Sequence, residues 1–388
     1  MSFKSALQRD LDRFYKSIHN SDFNIREVTK GALSQARAKL NPWAFQRLNE
    51  VAVNSFYKEA EHFRWHGKRL LSVDGSRLIL PKHQSIIDEF GSYGFGPKAD
   101  SHRSMALSSM LYDTLNHLTI DAQIAPLQVS ERDLLLEHLN KVSSEDMLLL
   151  DRGYPCFWLL FLLKAKSIDF CVRLKSDWWL EVKRFVESDE IDKEVKFTLP
   201  KKDQEKLSEY PDLWDNALPF RLVKVELENG ETEILCTSLL DTQKHDTSEF
   251  KELYHHRWSE EEAFKLLKSR VELEDFSGKT AKAVKQDFHA KILLMTLCAA
   301  FAHPIEEKVR AEHKESENRK HAQKINRTNA LAVFSDMAIP MFLKRKFNES
   351  LETFDEIVYK TREIVRPDRS EPRPKKPKKP YSMNYKRL

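Results

Sequence analysis

Cysteine and glycine are scarce in this chain of 388 residues, which has 4 cysteines and 9 glycines. The cysteines lie far apart and form no Cys-x2-Cys pair, which excludes the usual zinc-finger spacings and a disulfide framework. So few glycines also argue against a glycine-rich repeat or linker protein. Hydrophobic residues make up 41% of the chain and charged residues 32%. We therefore expect a globular protein with a buried core, in a reducing cytoplasm.

Long hydrophobic runs are missing as well. The two strongest apolar runs, at 157–163 and 292–302, are too short to cross a bilayer and are typical of core helices. The N-terminus is charged and amphipathic, unlike a signal peptide. The sequence therefore predicts a soluble protein with no membrane partner.

Positive charge is concentrated at the C-terminus. Residues 366–388 contain nine Lys or Arg and two Asp or Glu, although the formal net charge of the whole chain is only +4. Nucleic acid is a reasonable partner for such a tail. The tail is also rich in proline and poor in apolar residues, so we expect no packed core within it.

The apolar pattern changes several times along the chain. Helical spacing at the N-terminus gives way to strands that alternate with helices, which predicts a mixed α/β sheet covered by helices. A segment rich in tryptophan, charge and β-like stretches interrupts it, and a long helix over 247–270 follows. We divide the chain into six regions. They are an N-terminal helical DNA-binding region (1–65), a first part of the core (66–175), a β-rich insertion (176–231), a second part of the core (232–290), a C-terminal helical region (291–365) and a basic tail (366–388).

A short basic helix is predicted over 28–40. It begins at Thr29, a good helix cap, and carries Lys30, Arg37 and Lys39 among small residues. Such a helix can lie in the major groove of DNA. It can equally be a surface helix of a helical bundle, and the sequence does not separate the two interpretations.

The predicted helix around 249–268 aligns four polar side chains. Tyr254, Arg257, Glu261 and Lys268 fall within one narrow stripe at the helical period of about 100° per residue. The stripe is either a solvated face of ion pairs, as most charged stripes are, or a set of groups aimed at one ligand.

Two aspartates follow strand-like apolar runs. Asp74 and Asp151 are then partly buried, and a buried carboxylate needs a cation or hydrogen bonds. Carboxylates that hold two Mg²⁺ ions suit phosphodiester chemistry. The alternative for each aspartate separately is a turn-forming role in Asp-Gly or Asp-Arg-Gly.

These residues together resemble a known family. Tyr254-x2-Arg257-x3-Glu261-x6-Lys268 is similar, with every spacing matched, to the YREK signature of bacterial insertion-sequence DDE transposases. The first-aspartate strand SVDGS, the second-aspartate motif LLLDRGY and the strand FCVRLK resemble the same family. One position departs from it, because Glu260 stands where relatives usually carry an apolar residue.

The resemblance implies an α/β fold: an RNase H-like mixed sheet with flanking helices, interrupted by a β-rich insertion. It implies cut-and-paste transposition, in which water cuts at the element end and the freed 3′-hydroxyl attacks another strand. The expected partners are double-stranded DNA and a second copy of the chain, at the nucleoid of a bacterial cytoplasm. The implied ligands of two Mg²⁺ or Mn²⁺ ions are Asp74, Asp151 and Glu261. The implied contacts to DNA phosphates are Tyr254, Arg257, Lys268 and Arg173.

Other interpretations remain open from sequence alone. Trp178, Trp179 and Trp214 are available to stack on a flipped base or to pack within the insertion. The chain could be a transposase-derived DNA-binding regulator that no longer cuts. A host nuclease of the same fold would explain the carboxylates but not the signature stripe.

Overall fold

The computed structural model describes residues 7–24, 26–95, 101–227, 230–315 and 321–365, so the predicted basic tail at 366–388 lies outside these ranges. Strands β1 to β12 are Arg69–Ile79, Tyr93–Phe95, Ser101–Arg103, Met105–Asp113, Leu118–Pro126, Asp146–Leu150, Asp169–Leu174, Asp192–Phe197, Leu218–Glu226, Thr232–Thr237, Gln323–Lys324 and Glu363–Ile364. Helices α1 to α13 are Leu7–His19, Lys30–Lys39, Trp43–Glu59, Gln84–Phe90, Glu131–His138, Phe157–Ala165, Leu180–Glu187, Lys201–Gln204, Glu249–His255, Trp258–Ser269, Ala281–Glu315, Arg327–Ala338 and Phe347–Lys360.

A large mixed sheet forms the centre, in the strand order β5-β4-β1-β6-β7-β10-β9-β8. β1, β4 and β5 form an antiparallel meander, and β6 and β7 run parallel to β1 on its other side. β6 is buried along its whole length, as expected for a central strand with both faces covered. This arrangement confirms the predicted RNase H-like α/β fold and its meander.

The segment 176–231, for which we expect a β-rich insertion, extends the central sheet. Its strands β8 and β9 continue the central sheet, because β10 pairs antiparallel with both β7 and β9. The segment also contains helices α7 and α8. Strand pairing is a long-range choice, so the local pattern could indicate strands here without indicating their partners.

The helix expected over 247–270 is two helices, α9 and α10. Between the two helices, at His256 and Arg257, the backbone makes a tighter turn. The Arg257 N–H donates to the Tyr254 carbonyl at 3.2 Å, and the Glu260 N–H donates to the Arg257 carbonyl at 3.2 Å. These three-residue steps are those of a 3₁₀ turn, so the residues before and after the turn no longer follow one helical stripe.

Helix α11 is long and apolar enough to span a membrane by length and composition alone, and 56% of its most apolar window is buried inside the protein. It packs against α3 and β5 and contributes Val284, Phe288 and Ile292 to the core. The apolar run predicted at 292–302 is therefore part of a longer core helix.

The basic helix α2 is docked on α11 through Arg37. The Arg37 guanidinium donates to Gln286 Oε1 and Asp287 Oδ1, each at 3.0 Å, while Lys30 and Lys39 stay exposed. Of the three basic residues on this helix, Arg37 is thus engaged in packing, and the two lysines are the ones that face solvent.

Arg221 on β9 ties the inserted segment to the chain before α9. It is 1% exposed, pairs with Asp192 on β8, and donates to the His245 carbonyl at 2.8 Å. Breaking a buried ion pair by removing one partner leaves the remaining groups without compensation.

We expect Arg221→Met to lower the free energy of unfolding of the full chain by about 3 kcal/mol, because it breaks this buried pair. Urea denaturation measures the change. Arg184→Met is the matched control, since Arg184 is an exposed arginine of the same segment and its loss should change stability by less than about 0.5 kcal/mol. Equal effects of the two substitutions would contradict the assignment.

Candidate active site

The first two carboxylates meet because of the register between β1 and β6. Val73 pairs with Leu150 in a parallel ladder, so the next residues, Asp74 and Asp151, lie side by side where β6 ends. Neighbouring strands are about 4.8 Å apart, so the two carboxylates share one small region at the edge of the central strands. The structure thus brings together two residues that are 77 positions apart in the sequence.

Asp74 is held in a setting that opposes its charge. Burial, helped by the nearby Asp151 and Glu131, raises the pKa of Asp74 to about 6, although the Gly75 N–H and Arg257 act to lower it. The Gly75 N–H donates to Asp74 Oδ1 at 2.8 Å. A cation between these carboxylates would relieve both the burial and the repulsion.

Glu261 enters from α10 and is fixed by Arg257. The Arg257 Nη2 donates to Glu261 Oε1 at 2.9 Å, and a quarter of the Glu261 side chain remains exposed. The same guanidinium acts on Asp74 through its charge. Arg257 therefore links the third carboxylate to the first.

The glutamates on either side of Glu261 have different environments. Glu260 is fully buried, its Oε1 accepts the Asp74 N–H at 2.9 Å, and burial raises its pKa well above the usual range. Glu262 is exposed. Since neighbouring helix positions point about 100° apart, the three side chains diverge: Glu261 pairs with Arg257, whereas Glu260 accepts a hydrogen bond from β1.

The loop after Asp151 has little room for a larger residue. The Gly153 N–H donates to Asp151 Oδ1 at 2.7 Å, and a Cβ on Gly153 would lie 3.0 Å from that oxygen. Arg132 holds the same loop by donating to the carbonyls of Gly153 and Tyr154 at 2.7 and 2.9 Å. The second carboxylate is therefore presented on a fixed turn.

Glu131 is a fourth carboxylate at the site, and sequence reasoning did not select it. A Cβ on Gly75 would lie 2.6 Å from Glu131 Oε1, so the Glu131 carboxylate lies against the backbone next to Asp74. Burial raises the pKa of Glu131, and Asp151 raises it further. The available signal was the cap at Ser130, which starts α5 and places Glu131 in its first turn.

The signature residues Tyr254 and Arg257 are both buried, with exposed fractions of 4% and 6%. The Tyr254 hydroxyl donates to the carbonyl of Leu150, the residue before Asp151, at 3.3 Å. Tyr254 and Arg257 therefore face the protein interior next to the carboxylates, rather than forming an open charged face.

Lys268 and Arg173 are more accessible. The Lys268 Nζ donates to the Arg77 carbonyl on β1 at 2.8 Å, and burial lowers the pKa of Lys268. The Arg173 guanidinium pairs with Glu233 on β10 at 2.7 Å and is 30% exposed. Both cations lie on elements that border the carboxylates.

The tryptophans of the inserted segment pack against the protein and one another. The Trp178 and Trp179 rings stack at 5.7 Å, and Trp179 also stacks on Phe157 at 4.2 Å. The Trp214 indole donates to the Leu207 carbonyl at 3.2 Å. Packing thus engages all three tryptophans.

The donor set fits a hard divalent cation. Carboxylate oxygens are the ligands that Mg²⁺ and Mn²⁺ prefer. A divalent cation bound by Asp74 and Asp151 would offset their mutual repulsion and the burial that raises the pKa of Asp74.

We expect metal-free Asp74→Asn protein to be more stable than the wild type at pH 7, by up to about 3 kcal/mol, because the Asp74 pKa is about 6 in the folded protein and 3.8 ordinarily. A raised folded pKa means that stability is lost as pH rises through about 6, and the difference should disappear below about pH 4. Asparagine can still accept the Gly75 N–H.

Thermal unfolding across pH, in EDTA, measures this difference. Asp177→Asn removes an exposed aspartate and serves as the control, with no pH-dependent change expected. Adding Mg²⁺ should stabilise the wild type and narrow the gap. A variant that is less stable than the wild type at pH 7 would contradict the burial argument.

Two curated relatives from Escherichia coli (strain K12) match this chain. Transposase InsG for insertion sequence element IS4 is 24% identical over 281 residues, which cover 70% of this chain and 60% of InsG. Putative transposase InsZ is 22% identical over 144 residues, 36% of this chain and 47% of InsZ. The chain therefore spans less than two thirds of the length of either relative.

Among solved structures, the cryo-EM structure of the piggyBac transposase synaptic complex with hairpin DNA matches with a TM-score of 0.41 at 9% identity, over 76% of this chain and 57% of that chain. The family model described as the transposase DDE domain matches residues 65–297, which is more than half of the chain and includes the carboxylates on β1, after β6 and on α10. The chain belongs to the transposase DDE domain family.

Proposed function

We propose that this protein is the transposase of a bacterial insertion sequence. It binds the terminal inverted repeats of its element, cuts the DNA ends by metal-dependent phosphodiester hydrolysis and joins the 3′-hydroxyls to target DNA. The observation that carries the proposal is the side-by-side placement of Asp74 and Asp151, with Glu261 held near them by Arg257. The match to the transposase DDE domain supports it.

In this proposal Asp74, Asp151 and Glu261 hold two Mg²⁺ or Mn²⁺ ions. When bound, such ions activate the attacking hydroxyl and stabilise the leaving oxygen. The chain itself keeps the ligands in place: Arg257 orients Glu261, Glu260 accepts the Asp74 N–H, and the Gly153 N–H fixes Asp151.

Three residues of the signature and Arg173 of β7 are the proposed DNA contacts. We assign phosphate contacts first to Lys268 and Arg173, the two more accessible cations. Arg257 and Tyr254 reach the phosphate at the scissile bond from the inner side, where an arginine fork and a phenolic hydroxyl suit phosphate oxygens. Before DNA binds, both brace the carboxylates.

A homodimer on DNA follows from the chemistry. An element has two ends, and the described part of the chain holds one such group of carboxylates, so two copies supply two active sites. We infer that the dimer acts in the cytoplasm at the bacterial nucleoid. Mass measurement of the protein on paired element ends reports this assembly directly.

The first test compares Glu261→Gln with Glu262→Gln on labelled DNA that carries the element's own ends, in Mg²⁺. We expect Glu261→Gln to bind DNA but to cut at least about a thousandfold more slowly, equal to about 4 kcal/mol, because it removes a metal ligand. Glu262→Gln is the matched control because the residue is adjacent and exposed, and it should cut at nearly the wild-type rate.

If Glu262→Gln loses cutting and Glu261→Gln keeps it, the choice of glutamate is wrong. If the wild type binds the ends and never cuts, the chain is a DNA-binding regulator of transposase descent, and the enzymatic proposal fails.

A second test concerns the phosphate contacts. We expect Lys268→Gln and Arg173→Gln each to weaken DNA binding at all sequences and to lower the slope of log affinity against log salt by about 1, because each removes one phosphate contact. Fluorescence anisotropy over a salt series measures the slope. Lys360→Gln is the control, since Lys360 is exposed on α13 and pairs with Glu356. An unchanged slope in both variants would remove Lys268 and Arg173 from the DNA-binding surface.

A further inference from the structure

A second group of metal-binding side chains lies apart from the carboxylates. Among the described residues, His66, His245 and Glu249 each offer one ligand atom, and these atoms lie within 4.8 Å of one another. The His66 Nε2 and Glu249 Oε2 are 3.1 Å apart. The three residues come from the turn before β1, the loop after β10 and the first residue of α9.

The turn that carries His66 is an unusual place for histidine. His66 and Gly67 both have positive φ, at 43° and 78°, and Trp65 bridges to Lys68 across them. A two-residue hairpin loop with two positive φ values is a type I′ turn, whose first central position prefers Asn, Asp or Gly. A histidine there adopts a strained backbone conformation, and such strain is a common feature of functional positions.

His245 has the second unusual feature. It is 5% exposed, and its Nδ1 is buried without a hydrogen-bond partner. The ring stacks on Trp65 at 5.3 Å, and the His245 carbonyl is held by Arg221 at 2.8 Å, so the residue is firmly placed. Buried polar atoms without a partner are rare and indicate a missing ligand, ion or water.

Burial lowers the pKa of His245, which favours the neutral imidazole, the form that binds metal. Glu249 supplies the negative charge that a divalent cation needs.

We propose that His66, His245 and Glu249 form a zinc site that joins the turn before β1 to the start of α9. Two imidazoles and one carboxylate are an established zinc donor set, which leaves a fourth position for water. Bonds of about 2.0–2.2 Å in tetrahedral geometry place ligand atoms about 3.3 Å apart, so the His66–Glu249 pair is already near that spacing. Small side-chain rotations bring the remaining pairs to it.

The consequence of such a site is mechanical. β1 runs from this turn to Asp74, and α9 runs from Glu249 to Tyr254 and the turn at Arg257. Zinc at this point fixes the strand that carries Asp74 and the helix that leads into the turn before Glu261, without sharing a ligand with either carboxylate.

The experiment uses the full chain carrying Asp151→Asn, so that the carboxylate site does not compete for zinc and the result does not depend on DNA cleavage. Zinc affinity and stoichiometry are measured by competition with a chromophoric chelator and by elemental analysis after dialysis. The test variant is His66→Asn, because asparagine accepts the left-handed turn and removes only the imidazole.

The matched control is His117→Asn. His117 also has a positive φ, of 61°, and lies in the hairpin between β4 and β5, outside the cluster. Glu249→Gln and His245→Gln complete the series. Thermal unfolding with and without zinc confirms that each variant folds.

We expect the parent and His117→Asn to bind one zinc ion and to gain thermal stability from it. His66→Asn should bind zinc at least about tenfold more weakly, as losses around metal sites do, and should gain no stability. Equal zinc affinity in the parent and His66→Asn would overturn the proposal. So would a parent that binds no zinc, which would leave His66 and Glu249 as an ion pair only.

Discussion

The active site depends on holding carboxylates together against their own repulsion. The parallel register of β1 and β6 fixes Asp74 beside Asp151, and burial makes the charge on Asp74 still less favourable. Two neighbouring groups, the Gly75 N–H and the Arg257 guanidinium, favour the charged form of Asp74. The remaining imbalance is what a pair of divalent cations would neutralise.

The break between α9 and α10 joins two sets of supports. On one side Tyr254 donates to the Leu150 carbonyl, which fixes the strand end before Asp151. On the other, Glu260 accepts the Asp74 N–H and Lys268 donates to the Arg77 carbonyl, which fix β1. The residues Tyr254, Glu260 and Lys268 therefore hold the two aspartate strands in place, and under the proposed function substitutions in them would disturb the metal ligands.

The inserted segment is part of the same mechanical unit. Arg221 on β9 holds the chain at His245, and that chain leads directly into α9. The proposed zinc ligands lie at the same junction, between the turn that starts β1 and the helix that precedes Arg257.

Much of this was predictable from local pattern. The spacing of Tyr254, Arg257, Glu261 and Lys268 pointed to the transposase family to which the chain belongs, and the apolar runs before Asp74 and Asp151 predicted the strands β1 and β6. Such signals are visible in sequence because side-chain period and turn chemistry act over a few residues. The expected α/β sheet, its meander and its core helices followed from the same periodicities.

Tertiary structure alone decided the rest. Three adjacent glutamates look alike in sequence, but packing buries Glu260, exposes Glu262 and leaves Glu261 facing the site. The burial of Tyr254 and the position of Glu131 beside Asp74 likewise depend on strands and helices from distant parts of the chain. The proposed zinc ligands His66, His245 and Glu249 also come from segments that are far apart in the sequence. Sequence determines local geometry and chemistry, whereas residues that are far apart in the sequence come close together only when the strands of the sheet have paired.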